Sequence, residues 1–121
     1  MAAIQLKHVA QARSGDKGNT CDIGLFARTP EMYQVFLKEV TAERVKEHFK
    51  DLVFGEVTRY EVPNILALKF VLEEALGGGA ASSLRTDNLG KSFGSNLLRM
   101  VIEVPDHLLN DENMLKRPWD H

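Results

Sequence analysis

Residues 20–40 constrain this fold more than any other stretch of the chain. From Thr20 to Arg28 the side chains alternate, with Cys21, Ile23, Leu25 and Ala27 on one side and Asp22, Gly24, Phe26 and Arg28 on the other. That is the period-two pattern of a strand with one buried face. Directly after it, Thr29 can accept from the free N–H groups of a helix start, Pro30 has the first-turn φ, and Glu31 favours the positive helix end. Met32, Val35, Phe36 and Val40 then make one apolar stripe. A half-buried strand running straight into an amphipathic helix calls for a layered structure in which sheet and helix cover each other.

The remaining segments extend the pattern. Ile4 to Ala10 reads as a strand with Ile4, Leu6 and His8 on one face, which makes His8 a structural residue rather than a catalyst. Thr41 is a second cap, before "AERVKEHF", with Val45, Phe49 and Leu52 as the apolar positions and His48 on the charged face. Val53 to Val62 has strand composition and ends at Pro63. Asn64 then reads as the cap of a helix over residues 65–76, apolar on almost every side and therefore covered from more than one direction. The glycines at 77–79 supply its left-handed stop. Ser83 to Thr86 reads as a short strand, and Leu97 to Val104 as a longer one.

Together these predict an α+β two-layer sandwich: a mainly antiparallel sheet of four or five strands, with helices on one face and the other face left for an oligomer or partner contact. The domain is expected over residues 1–105. A polar tail follows over 106–121, in which Leu108, Leu109, Met114 and Trp119 are the candidate anchors.

Composition narrows the function classes. A chain of 121 residues with 44% hydrophobic and 26% charged residues fits one globular domain. A net charge of −2 gives no general attraction for nucleic acid, and no aromatic-studded basic stripe supplies a local one. No apolar run approaches the roughly 20 residues of a membrane span, so neither nucleic acid nor membrane is an expected partner. The single cysteine, Cys21, falls in the buried row of its strand. The histidines at 8, 48, 107 and 121 are scattered, so no metal set and no catalytic triad is indicated. No cofactor is expected, and the default location is cytoplasmic.

Three polar constellations stand out. "RSGDKGN" places Arg13, Ser14, Asp16, Lys17 and Asn19 around Gly15 and Gly18 between two strands. Its glycine spacing is not that of a nucleotide-phosphate loop, and a strand rather than a helix follows. Spacing alone favours a hairpin turn over an anion-holding row of backbone N–H groups. "LGGGAASSLR" is better read as a helix stop than as an anion site, and Asn64 as a cap.

These segments, with "TAERVKEHF" and "RYEVPNILALKFVLEEALGGGAASSLRTDNLGKSFGSNLLRM", resemble the small C-terminal, ferredoxin-like domain of the AtuA-like proteins of acyclic terpene utilisation, from about Leu6 to Val104. The chain resembles the free-standing form of that domain. The resemblance implies an accessory or oligomerisation subunit, self-associating or working with a larger AtuA-like protein in terpene or acyl-CoA related catabolism. It leaves open whether the chain is an enzyme, the alternative being a small enzyme or binding domain for an acyl-CoA or carboxylate. For that small anionic ligand the candidate binding residues are Arg13, Ser14, Lys17, Asn19, Asn64, Gly77, Gly78 and Gly79, with Asp16 as the candidate acid or base.

Overall fold

The computed structural model describes residues 1–18, 20–50, 53–74 and 93–115, with Asp16 and Lys17 described by their backbone only. The elements run β1 (Ala2–Gln5), β2 (Ala10–Lys17), β3 (Thr20–Ala27), α1 (Pro30–Glu39), α2 (Ala42–His48), β4 (Val57–Val62) and β5 (Ala67–Leu72). A helical turn, α3 (residues 93–97), and β6 (Val101–Val104) complete the order.

Four strands form an antiparallel sheet in the order β2-β3-β5-β4, and β1 pairs with β6 in a separate two-stranded ribbon. β3 and β4 both run antiparallel to β5, which lies between them. The connection through α1 and α2 is therefore a split βαβ unit, preceded by the β2–β3 hairpin. The chain has the expected α+β, ferredoxin-like architecture.

Register sorts each strand into two faces. Leu25 and Ile23 of β3 stand opposite Leu68 and Phe70 of β5, and Cys21 opposite Leu72; all six are buried. α1 and α2 cover this face, bringing Met32, Phe36 and Val45 into the same core. α3 approaches it at β2 so closely that a Cβ on Gly94 would stand 2.9 Å from Ser14 Oγ. The opposite face of the sheet carries no helix among the described residues.

Both helix starts form as the sequence indicates. Met32 N donates to Thr29 Oγ1 at 3.2 Å and Arg44 N to Thr41 Oγ1 at 3.1 Å. Arg44 ties the α1–α2 junction to the ribbon, donating to the carbonyls of Glu39 (2.8 Å) and Val101 (2.7 Å). Arg59 reaches from β4 to the end of α1, donating to the carbonyls of Leu37 at 2.8 Å and Val40 at 3.0 Å.

Several expectations give way. The helix expected over residues 65–76 is the inner strand β5. Its Leu68, Phe70 and Leu72 face the core while Ala67, Lys69 and Val71 face outward. An inner strand covered by neighbours reads as a nearly continuous apolar run, which periodicity alone does not separate from a buried helix. Asn64 accordingly caps no α-helix. It lies exposed in the 3-10 turn Pro63–Ile65, and Leu66 at φ 55 turns the chain into β5.

The strand expected from Ile4 to Ala10 is interrupted by a 3-10 turn at Leu6–His8, which carries His8 out of any strand face. The strand expected from Leu97 to Val104 keeps only its second half as β6, because Leu98 N bonds the carbonyl of Gly94 at 3.2 Å at the end of α3. His48 is half-buried rather than solvated: its Nε2 lies 2.9 Å from the Asn96 carbonyl oxygen, and its ring meets Phe49 edge-on.

In the tail, Leu108 is buried, and Leu109 and Met114 pack against the core. Thr29 Oγ1 donates to Asn113 Oδ1 at 2.6 Å, and Leu115 N to the His8 carbonyl at 2.7 Å. Trp119, Leu52 and the segment 83–86 lie outside the described residues.

Candidate functional site

Arg13 to Lys17 form the second half of β2 rather than a loop. Lys17 pairs with Thr20, so the hairpin closes immediately beyond it, with Gly18 at φ +61. A left-handed residue there fits a tight hairpin whose twist matches its strands. Pairing every residue from Arg13 to Lys17 with β3 commits this backbone to a ladder, so no open row of N–H groups forms on the β3 side.

Strand pairing instead places Arg13 on the bare sheet face. Across the four strands one row reads Arg13, Gly24, Lys69, Tyr60; the row beside it reads Gln11, Phe26, Ala67, Val62. On the other side of the first row stand Gly15, Asp22, Val71 and Thr58. A shallow groove of about 380 Å³ runs over this face, with Arg13, Asp22 and Lys69 at its polar part and Phe26, Val62 and Ile65 at its apolar part.

Two glycines make room for the side chains that line the groove. A Cβ on Gly24 would stand 3.1 Å from a Phe26 ring carbon, so that ring leans over the space a side chain would fill. A Cβ on Gly15 would stand 3.1 Å from Asp22 Oδ1. Lys69 Nζ lies 3.5 Å from Asp22 Oδ2, with the two side chains 52% and 46% exposed. At that exposure the pair is worth at most about 1 kcal/mol. Arg13 is exposed and makes no ion pair or side-chain hydrogen bond among the described residues.

Of the sequence candidates, Arg13 and Ser14 border the groove. Asn64 is exposed in the neighbouring turn, whose Ile65 lines the groove while Asn64 does not. Asp16 and Lys17 belong to β2, and nothing further is described of their side chains; Asn19, Gly77, Gly78 and Gly79 lie outside the described residues. The sequence reading missed Phe26, Lys69 and Ile65. The outward set of the 20–28 alternation contains Phe26, an apolar residue where a solvated face predicts a polar one. Lys69 was hidden by the helical reading of its strand.

No group of three or more metal-ligating side chains occurs among the described residues, and no helix is long and apolar enough to cross a membrane. Tyr33, buried in α1, lies near the backbone of Val62. Burial raises its pKa above the usual tyrosine value and the nearby Glu61 charge adds to the rise, while the Val62 backbone and Arg59 pull the other way. Its hydroxyl makes no geometrically sound hydrogen bond among the described residues.

The sign of the pH effect follows. An unfolded tyrosine ionises near pH 10 while the folded one still holds its proton, so stability is unaffected below about pH 10 and falls as pH rises from there toward the folded value. Urea titrations should show Tyr33→Phe losing less stability than the parent above about pH 10, and matching or exceeding it by up to roughly 1 kcal/mol at neutral pH. Equal alkaline slopes would mean that the hydroxyl reaches water.

Comparison with known proteins agrees with this architecture. The family model of the AtuA ferredoxin-like domain matches residues 4–103. Neither the curated proteins nor the solved structures yield a match. The matched span takes in the hairpin, the split βαβ unit and part of each ribbon strand, and on that basis this chain belongs to the AtuA ferredoxin-like domain family.

Proposed function

We propose that the chain is a non-catalytic accessory subunit that docks the bare face of its four-stranded sheet on a larger AtuA-like protein, and that the pair works in terpene or acyl-CoA related catabolism. The observation that carries this reading is the set of exposed apolar side chains at one end of that face. Tyr60 and Ile65 are 52% and 58% exposed, beside the half-buried Phe26 and Val62. An antiparallel sheet can leave one face to water, but that face is then normally polar. An aromatic and a β-branched side chain left open to water suit a protein contact better than solvent.

The test is co-expression with a large AtuA-like protein, followed by size exclusion. A stable complex is expected. Tyr60→Ala combined with Ile65→Asp should weaken it by about 100-fold while leaving thermal unfolding within a few degrees, since anchor residues at interface centres each contribute about 1–2 kcal/mol or more. A chain that stays monomeric and forms no complex, or a self-dimer through this face that excludes the larger protein, would overturn the proposal.

A further inference from the structure

The groove on the bare face has a polarity that a flat contact surface would not need. Arg13 and Lys69 flank Gly24 on the two neighbouring strands. With strands about 4.8 Å apart, their Cα atoms stand roughly 10 Å from each other across a residue that contributes no side chain. The Phe26 ring reaches back over Gly24 and floors the gap, so an anion held by both cationic side chains would lie on top of that ring. Among the described lining residues these two cations meet one carboxylate, Asp22, whose half-exposed 3.5 Å pair with Lys69 is weak enough to be exchanged for another anion. Two residues further along the strands, about 7 Å away, the lining becomes Phe26, Ala67 and Val62, with Ile65 beyond.

We propose that this groove binds a small amphipathic monocarboxylate. The carboxylate lies between the Arg13 guanidinium and the Lys69 ammonium, and a hydrocarbon body of about six carbons, long enough to cover the roughly 7 Å between rows, lies along Phe26, Val62 and Ile65. Arg13 supplies a planar fork that matches carboxylate geometry, and Lys69 a second point charge. Among the described lining residues Arg13, Lys69 and Asp22 leave one net positive charge, which suits a monoanion better than a phosphate dianion. An ammonium would be repelled, and a neutral alcohol would gain the apolar contacts alone. The groove's volume of about 380 Å³ is in the range of small-molecule sites. This binding uses the proposed docking face but does not depend on docking, because all the residues invoked for it belong to this chain; a bound partner would roof it.

The test is an NMR titration of the whole isolated chain with hexanoate, hexanol and acetate. Hexanoate should shift the backbone amides of Arg13, Gly24, Phe26 and Lys69 and saturate in the low-millimolar range, of order 4 kcal/mol of binding. Hexanol and acetate should each bind about tenfold more weakly or worse, and raised salt should weaken hexanoate. Arg13→Gln and Lys69→Gln, both at exposed or half-exposed positions, should each weaken hexanoate about fivefold, with well-dispersed spectra confirming the fold. Hexanol binding as tightly as hexanoate, shifts elsewhere on the molecule, or unchanged binding in the Arg13→Gln and Lys69→Gln variants would overturn the proposal. So would the absence of any shift at tens of millimolar. A complex that forms with the larger protein while hexanoate fails would sink this inference alone, and hexanoate binding without a complex would sink the docking reading alone.

Discussion

Replacing Phe70 by alanine should destabilise the protein by about 4 kcal/mol, measured as the change in unfolding free energy in urea. Phe70 is fully buried on β5, with Ile23 beside it on β3 and Arg59 on β4. Truncation removes most of an aromatic side chain from the layer between sheet and helices, and neighbours held by strand pairing on both sides relax little into the hole. Four kcal/mol is a large share of the roughly 5–15 kcal/mol that stabilises a typical domain, so the variant should be close to unfolding at physiological temperature. The adjacent Val71 gives the contrast. It points to the bare face, and Val71→Ala should cost under about 1 kcal/mol. A large loss at both positions would favour the helical reading of this segment, in which both side chains are covered.

Arg59→Met should cost about 2–3 kcal/mol, although no motif marks this arginine. Its guanidinium donates to the carbonyls of Leu37 and Val40, the acceptors left free where α1 ends, and it brings positive charge to the negative end of that helix. Methionine keeps much of the stem's packing and removes the donors, so the loss reports the hydrogen bonds and the charge. The side chain is only 20% exposed, which limits how well water can replace it. Lysine should recover about half of the loss, having a charge but no fork. Hydrogen exchange at the last turn of α1 should speed up in Arg59→Met while the β3–β5 ladder keeps its protection. Uniform acceleration would instead mean that Arg59 contributes to global stability without a local role at the helix end.

Much of the architecture was legible where local signals agree. The alternation from Thr20 to Arg28, the Thr29–Pro30 start and the break at Thr41 all appear where the sequence puts them, because a strand face and a helix cap depend on neighbours a few residues away. The helical reading fails from Ala67 to Leu72, because burial of an inner strand leaves few of the polar residues that reveal a period of two. The same kind of error lengthened the last strand, since the end of α3 and the start of β6 both present apolar residues and run together in sequence.

The candidate site divides along the same line. The "RSGDKGN" stretch marked Arg13 from the sequence, and the hairpin was the favoured local reading. Its partners were out of sight: Lys69 and Val62 lie about 50 residues away and come to Arg13 and Phe26 only through the order β2-β3-β5-β4.

By itself, then, the sequence determined the layered α+β class, the two capped helices, the buried row of β3 and the family, since each rests on short-range pattern or on the order of motifs along one chain. Only the tertiary structure decided that residues 67–72 are an inner strand, that Arg59 ends α1, and that Arg13, Gly24, Lys69 and Phe26 share one groove. Pairing and register across strands are set by which faces can be buried together, and that is a property of the assembled core that no single segment carries.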